Sequence, residues 1–128
     1  MRWRRSWMLL VTRGVRVSDS GAEARRRVEE LVRQAEAIVE ALEMKAADGR
    51  WAMTAFSRYR VCELLDIPPY GSYGGDLDAD PAALLDEAAR YVDELDVPIE
   101  DLSWRLAVGD ALRSAASDIR AVRDARDV

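Results

Sequence analysis

Apolar residues recur at steps of three and four over residues 20–48, which is the spacing of one face of an α-helix. Ser20 and Glu23 have the spacing of a capping box, whose side chains accept hydrogen bonds from free amides of the first turn. The pattern predicts a long amphipathic helix that begins at Ser20 and stops at Gly49. Its apolar face consists of Val28, Leu31, Val32, Ala35, Ile38, Val39, Leu42 and Ala46.

A second, shorter helix is predicted from Trp51 to about Leu65. Pro68 and Pro69 are expected to end it, because proline lacks an amide donor and disfavours helical geometry in the preceding residue. The expected buried face consists of Ala52, Ala55, Phe56, Tyr59, Cys62 and Leu65, with Met53, Val61 and Leu64 beside it.

Asp80 and Pro81 predict the start of a third helix, since aspartate is a favoured N-cap residue and proline fits the first helical position. This helix ends before Pro98, and a fourth runs from about Pro98 to Arg126. The third helix has the apolar positions Leu84, Leu85, Ala88, Tyr91, Val92 and Leu95. The fourth has Leu102, Leu106, Val108, Leu112, Ala115, Ile119 and Val122, and Gly109 is expected to admit a close neighbour.

These elements predict an all-α protein, a small helical bundle of about four helices, two long and two shorter, with a Gly/Tyr-rich loop between helices two and three. A chain of 128 residues, 49% of them apolar, suffices for one domain with its own core. We assign this domain to residues 20–128 and a basic N-terminal arm to residues 1–19. The apolar seams at 28–46 and 108–122 would also suit a homodimer.

Residues 60–91, RVCELLDIPPYGSYGGDLDADPAALLDEAARY, allow three interpretations. The run at 64–67 imitates the start of a DNA-binding helix-turn-helix, but the glycines that follow oppose a recognition helix. Four acids, Asp76, Asp78, Asp80 and Glu87, occupy places 1, 3, 5 and 12 of a calcium-binding EF-hand loop. Pro81 stands at place 6, where that loop needs glycine, so we favour an elbow between two helices and expect no metal site. A looser, weak cation affinity is the alternative.

The residue content removes most catalytic systems. The chain has no histidine, no asparagine, one glutamine (Gln34), one lysine (Lys45) and one cysteine (Cys62), which excludes histidine-based triads and histidine metal sites. We therefore expect a non-enzymatic protein without a cofactor. The alternative is a metal-dependent hydrolase that uses Glu36, Glu40 and Glu43, which we place on the polar side of the first helix.

The net charge of −5 hides a strong partition. Residues 1–17 contain five arginines and no acid, whereas residues 63–101 contain twelve acids and one arginine. An acidic surface attracts a cationic partner and raises the rate of association. We predict a protein-protein interaction or regulatory module whose partner has a basic surface. The candidate partner-binding residues are Tyr70, Tyr73, Asp76, Asp78, Asp86, Asp93 and Glu94.

The basic arm suggests a second function, weak nucleic-acid binding. Its candidate residues are Arg2, Trp3, Arg4, Arg5 and Trp7. We disfavour nucleic acid as the partner because the rest of the chain is acidic. The apolar run Trp7–Val11 is too short for a signal peptide and no stretch is long enough to span a membrane, so we expect a soluble, cytoplasmic protein. Translation from Val11, Val15 or Val17 would remove the arm.

Overall fold

The computed structural model describes residues 19–69 and 73–125, and these ranges contain four α-helices, two short 3-10 helices and no strand. The α-helices are α1 (Asp19–Lys45), α2 (Ala55–Leu65), α3 (Pro81–Asp93) and α4 (Leu102–Ala125). The 3-10 helices Arg50–Thr54 and Ile99–Asp101 precede α2 and α4. The predicted all-α bundle is confirmed. Most of the predicted arm, including its nucleic-acid candidates, lies outside the described residues.

The helices form a ring in which α1 packs on α3, α3 on α4 and α4 on α2, while the backbones of α1 and α2 approach each other at few points. Ion pairs between Arg123 and Asp80 and between Arg113 and Asp93 show that α3 and α4 are antiparallel. The buried core takes apolar residues from all four helices. Its largest fully buried apolar side chains are Val28, Leu31, Val32, Val39, Val61, Leu64, Val92, Val108, Leu112 and Ile119.

The helix boundaries follow local rules. The Asp80 carboxylate accepts a hydrogen bond from the Ala82 amide at 3.0 Å and Pro81 opens α3, as predicted. The α1 helix begins at Asp19, one residue before the expected N-cap Ser20, a difference within the usual ambiguity of helix ends. It ends at Lys45, and Gly49 adopts the left-handed conformation (φ 69°) that opens the next 3-10 helix.

The α2 helix ends at Leu65, three residues before Pro68. Asp66 takes the left-handed conformation (φ 57°), and its amide donates to the carbonyls of Cys62 and Glu63. Of the connection to α3, residues 66–69 and 73–80 contain no helix, so the described part offers no recognition helix.

The predicted buried face of the second helix is wrong in its first turns, whereas Val61, Cys62, Leu64 and Leu65 are buried as expected. Phe56 is 85% exposed and Met53 is 77% exposed, whereas Thr54, Ser57 and Arg58 are buried. Polar side chains can be buried where hydrogen bonds satisfy them. The core therefore accepts polar side chains at the start of α2 and leaves Phe56 in solvent.

The predicted face of α4 is wrong in its first turns. Leu102 and Leu106 are exposed, and the buried residue is Trp104, whose indole N–H donates to the Leu64 carbonyl at 3.0 Å. A large ring fills the space between the end of α2 and the start of α4, and its one donor is satisfied. Further along, Gly109 is buried, and a Cβ there would lie 3.3 Å from an oxygen of Asp93, in agreement with the expected close approach.

We predict that Asp80→Ala lowers the free energy of unfolding by about 1–2 kcal/mol, because α3 loses its N-cap and Arg123 loses its partner. Chemical denaturation monitored by circular dichroism measures the change. Asp78→Ala is the matched control, since the Asp78 carboxylate makes no bond within the described residues. Equal effects of the two substitutions would contradict the capping role.

Candidate functional site

A buried guanidinium lies between α1 and α2. Arg58 is only 3% exposed, and its Nη1 donates to both Glu36 oxygens, at 3.1 and 2.9 Å. Its Nη2 donates to Glu43 Oε1 at 2.6 Å and its Nε to Thr54 Oγ1 at 2.8 Å. Two carboxylates and a hydroxyl thus engage all three guanidinium nitrogens. We call Arg58, Glu36, Glu43 and Thr54 the Arg58 network.

Local geometry explains why Thr54 accepts from Arg58. The Thr54 hydroxyl donates its own proton to the Trp51 carbonyl at 2.7 Å, which leaves an oxygen lone pair for the guanidinium one helical turn later. Nearby, Ser57 donates to Asp118 Oδ2 at 2.7 Å and so connects α2 to α4. The buried polar face of α2 is therefore hydrogen-bonded to both neighbouring helices.

The predicted placement of the glutamates is wrong for Glu36, which is buried rather than on the polar side of α1. Burial raises the pKa of Glu36, and the charge of Arg58 opposes that rise. A cavity of about 10 Å³, close to the size of one water, adjoins the pair. Glu36 and Glu43 both face a guanidinium, so the geometry is that of an ion-pair cluster.

The acids predicted to bind a partner fall into two groups. Asp86 pairs with Arg120 at 2.5 Å, and Asp93 pairs with Arg113, so both carboxylates hold α3 to α4. Glu94 is exposed and makes no ion pair among the described residues. Only Glu94 of these three therefore has a carboxylate that is not already engaged by an arginine.

The other candidate residues lie in the connection between α2 and α3. Tyr70 lies outside the described residues, and the half-buried Tyr73 places its ring against Gly75. Asp76 accepts from the Asp78 amide at 2.9 Å through its side chain and from Gln34 at 3.0 Å through its carbonyl. These contacts hold part of the loop against α1.

Three of the four acids of the considered EF-hand have contacts of their own, and the Asp78 carboxylate has none within the described residues. Asp80 caps α3, Glu87 pairs with Arg27 of α1 at 3.2 Å, and Asp76 accepts from the amide of Asp78. Across residues 19–69 and 73–125, no group of three or more acidic or cysteine side chains could hold a metal ion.

An unpartnered apolar stripe opens α4. Ile99 is 85% exposed, Leu106 is 63% exposed, and Leu102 lies between them at helical spacing. Glu94, Asp96 and Asp101 adjoin the stripe in sequence, and none of the three is in an ion pair in the part of the chain that the structure describes. We call these six residues the α3–α4 surface.

A second apolar area lies at the other end of α4. It is an open groove of about 570 Å³ between the first 3-10 helix and the last turns of α4. Its lining residues are Arg50, Met53, Asp118, Ala121, Val122 and Ala125. Phe56 is exposed one turn after Met53. This groove contains both a cationic and an anionic residue, Arg50 and Asp118.

Comparisons with protein-family models, with curated proteins and with solved structures find no match. Within the described ranges, no helix combines the length and the apolar character that crossing a membrane requires.

Sequence reasoning missed both Arg58 and the exposed stripe. The stripe had a signal: the step from Leu106 to Val108 is two residues, which breaks the spacing of a single helix face. Arg58 had a weaker signal. Thr54, Arg58 and Val61 lie at helical spacing, so they share one face of the helix with apolar residues. Only the position of Glu36, twenty-two residues away, explains why an arginine is buried there.

We predict that Arg58→Met lowers the free energy of unfolding by roughly 3–5 kcal/mol at neutral pH, because it leaves Glu36 as a buried charge without a partner. The loss shrinks as the pH falls toward the ordinary Glu36 value of 4.5. The folded state then holds a proton on Glu36 that the unfolded state gives up more readily, so acid favours folding of this variant.

Urea denaturation at several pH values measures both effects. Arg60→Met is the matched control, since Arg60 is exposed on the same helix, and we expect a change within about 0.5 kcal/mol. Arg58→Met combined with Glu36→Leu should recover much of the lost stability, because no buried charge then remains. A loss in Arg58→Met no larger than in the Arg60 control would rule out the role of the network.

We also predict that Cys62 is unreactive in the folded protein. Burial, followed by the negative charge of Glu36, raises the pKa of the Cys62 thiol to about 12, so almost no thiolate forms at neutral pH. A chromogenic disulfide reagent should react at the rate of unfolding, and immediately in concentrated guanidinium chloride. Fast reaction in native buffer would contradict this assignment.

Proposed function

We propose that this protein is a non-enzymatic interaction module whose α3–α4 surface binds a cationic amphipathic segment of another protein. The observation that carries the proposal is the exposure of Ile99, Leu102 and Leu106 as one stripe beside carboxylates without ion pairs. Exposed apolar patches rimmed by polar residues mark interaction sites on many proteins.

The stripe provides binding energy. Fully burying an exposed Leu or Ile side chain contributes about 1.5–3 kcal/mol, and the stripe offers only part of that sum, because Leu106 is 63% exposed and Leu102 is 37% exposed. This contribution supports at most a weak, reversible complex once the cost of association is subtracted. A partner helix with apolar residues at steps of three and four would match the spacing of Ile99, Leu102 and Leu106.

The carboxylates select the sign of the partner's charge. Glu94, Asp96 and Asp101 lie within eight residues of one another and lack ion pairs in the described chain. Lysine or arginine residues beside the partner's apolar face would complement them and speed association. Asp86 and Asp93, which pair with arginines of α4, therefore lie outside the proposed surface, whose acids extend from the end of α3 to the start of α4.

The alternatives have less support. For a carboxylate-dependent hydrolase, Glu36 and Glu43 would have to exchange Arg58 for a metal ion. Nucleic-acid binding by Arg2, Trp3, Arg4, Arg5 and Trp7 depends on residues outside the described ranges. A homodimer is the competing occupant of the stripe. A cytoplasmic location belongs to the proposal, since one lone thiol is typical of a reducing compartment.

We predict that Ile99→Glu and Leu106→Glu each weaken binding of a synthetic helix, with leucines on one face and lysines on the other, by at least about tenfold. Each substitution removes apolar contact area from the stripe. Isothermal titration calorimetry with the full chain measures the affinity, and raising the salt concentration should weaken binding to the unsubstituted protein.

Phe56→Glu is the matched control, because Phe56 is as exposed as Ile99 and lies beside the groove at the opposite end of α4. We expect its affinity to stay within about twofold of the unsubstituted protein. If Phe56→Glu weakens binding and Ile99→Glu does not, the partner binds the groove and the proposal is wrong. Sedimentation of the protein alone separates partner binding from a homodimer.

A further inference from the structure

The groove at the end of α4 is open, and its own chain does not fill it. Its volume is about 570 Å³, and Met53, Ala121, Val122 and Ala125 supply its apolar lining. Phe56 lies one turn after Met53 and is 85% exposed, so its ring does not occupy this space. A large aromatic side chain therefore stands in solvent beside a groove of suitable size and character.

The two charged residues of the groove both have bonding capacity left over. Arg50 pairs with Asp48 through Nε and Nη2, and its Nη1 donates no hydrogen bond within the described residues. Asp118 accepts from the Ser57 hydroxyl at 2.7 Å and is half-buried, yet it forms no ion pair in residues 19–69 and 73–125. A nearby cation stabilises a carboxylate that is partly removed from water. The groove thus lacks a cation at one side and offers one at the other.

A second copy of this chain satisfies both features at once. In a two-fold dimer the same patch faces itself, so each wall of the groove meets the opposite wall of the other copy. Arg50 and Phe56 belong to the wall formed by the 3-10 helix and the start of α2, whereas Asp118 and Ala121 belong to α4. The rotation brings each Phe56 to the small side chains of the other α4, and each Arg50 to the other Asp118.

The size of the patch predicts a weak dimer. Specific interfaces bury about 1,200–2,000 Å² in total, and two Phe rings supply roughly 300–500 Å² of that area. Met53, which is 77% exposed, and the groove lining add to this area. The interface therefore lies near the lower end of the range, and we expect a dissociation constant on the order of ten micromolar.

We propose that this groove is a two-fold dimerisation site, in which Phe56 of each copy enters the groove of the other and Arg50 pairs with Asp118 across the interface. The site lies at the opposite end of α4 from the α3–α4 surface, so it does not depend on the proposed function. Each dimer carries two α3–α4 surfaces. A partner with two matching segments would therefore bind more tightly than a partner with one.

Sedimentation equilibrium of the full chain tests the site. We expect Phe56→Glu to weaken self-association by at least about tenfold, because a charge replaces the apolar ring in the interface. Phe56 is exposed, so the variant keeps its fold, which circular dichroism checks. Ile99→Glu is the matched control, because Ile99 is equally exposed at the other end of α4, and the dissociation constant should stay within about twofold.

Charge reversal tests the two-fold pairing. Arg50→Glu and Asp118→Arg each place like charges opposite one another, and each should weaken self-association by at least about fivefold. A mixture of the two variants restores an opposite pair at both contacts, so it should associate within about threefold of the unsubstituted protein. Circular dichroism of each variant confirms that the loss of the Ser57–Asp118 bond has not unfolded the bundle.

Three results would overturn the inference. The first is a monomer at every concentration up to about 1 mM, which leaves the proposed function of the α3–α4 surface standing. The second is a dimer that Ile99→Glu dissociates and Phe56→Glu does not, which places the interface on the stripe and overturns the proposed function as well. The third is a mixture of the charge variants that stays monomeric, which rules out the pairing of Arg50 with Asp118.

Discussion

The buried Arg58 guanidinium fixes how α2 sits in the bundle. The backbones of α1 and α2 approach each other at few points, and Arg58 spans the space between them with bonds to Glu36 and Glu43. Three directional partners define the rotation of α2 about its axis more narrowly than an apolar side chain would. Phe56 precedes Arg58 by two residues, about 200° around the helix, so burying Arg58 turns Phe56 toward solvent.

Folding also redistributes the charge that is so uneven in the sequence. Of the twelve acids in residues 63–101, Asp80, Asp86, Glu87 and Asp93 pair with arginines of α1 and α4. Those four carboxylates hold helices together rather than face a partner. Of the exposed acids in this segment, Glu63, Asp76, Asp78, Glu94 and Asp96 form no ion pair within the described ranges, and the last two lie where α3 gives way to α4. The acidic segment thus supplies both ion pairs between helices and exposed carboxylates.

Sequence patterns predicted α1 and α3 well because both obey local rules. The α3 start depends on Asp80 and Pro81, and the buried side of α1 is apolar except at Glu36. The faces of α2 and the first turns of α4 could not be predicted in the same way. Burial of Arg58 depends on Glu36, and burial of Trp104 on the carbonyl of Leu64, and both partners are distant in sequence.

The candidate site was also predicted only in part, because the exposure of its residues depends on how distant helices pack. Glu94 was named from charge alone, whereas Ile99 was passed over and Leu102 and Leu106 were assigned to the core. Apolar periodicity marks a helix face but does not say whether another helix covers it. Here α2 and α3 cover the opposite side of α4, which leaves Leu102 and Leu106 outside.

The length of α4 separates the two apolar areas of the molecule. Leu106 belongs to one and Val122 lines the other, so about 24 Å of continuous helix lies between them. A segment bound at the start of the helix would not collide with one in the groove at its end. Two chains bound at these areas would therefore be held at a fixed separation by the helix.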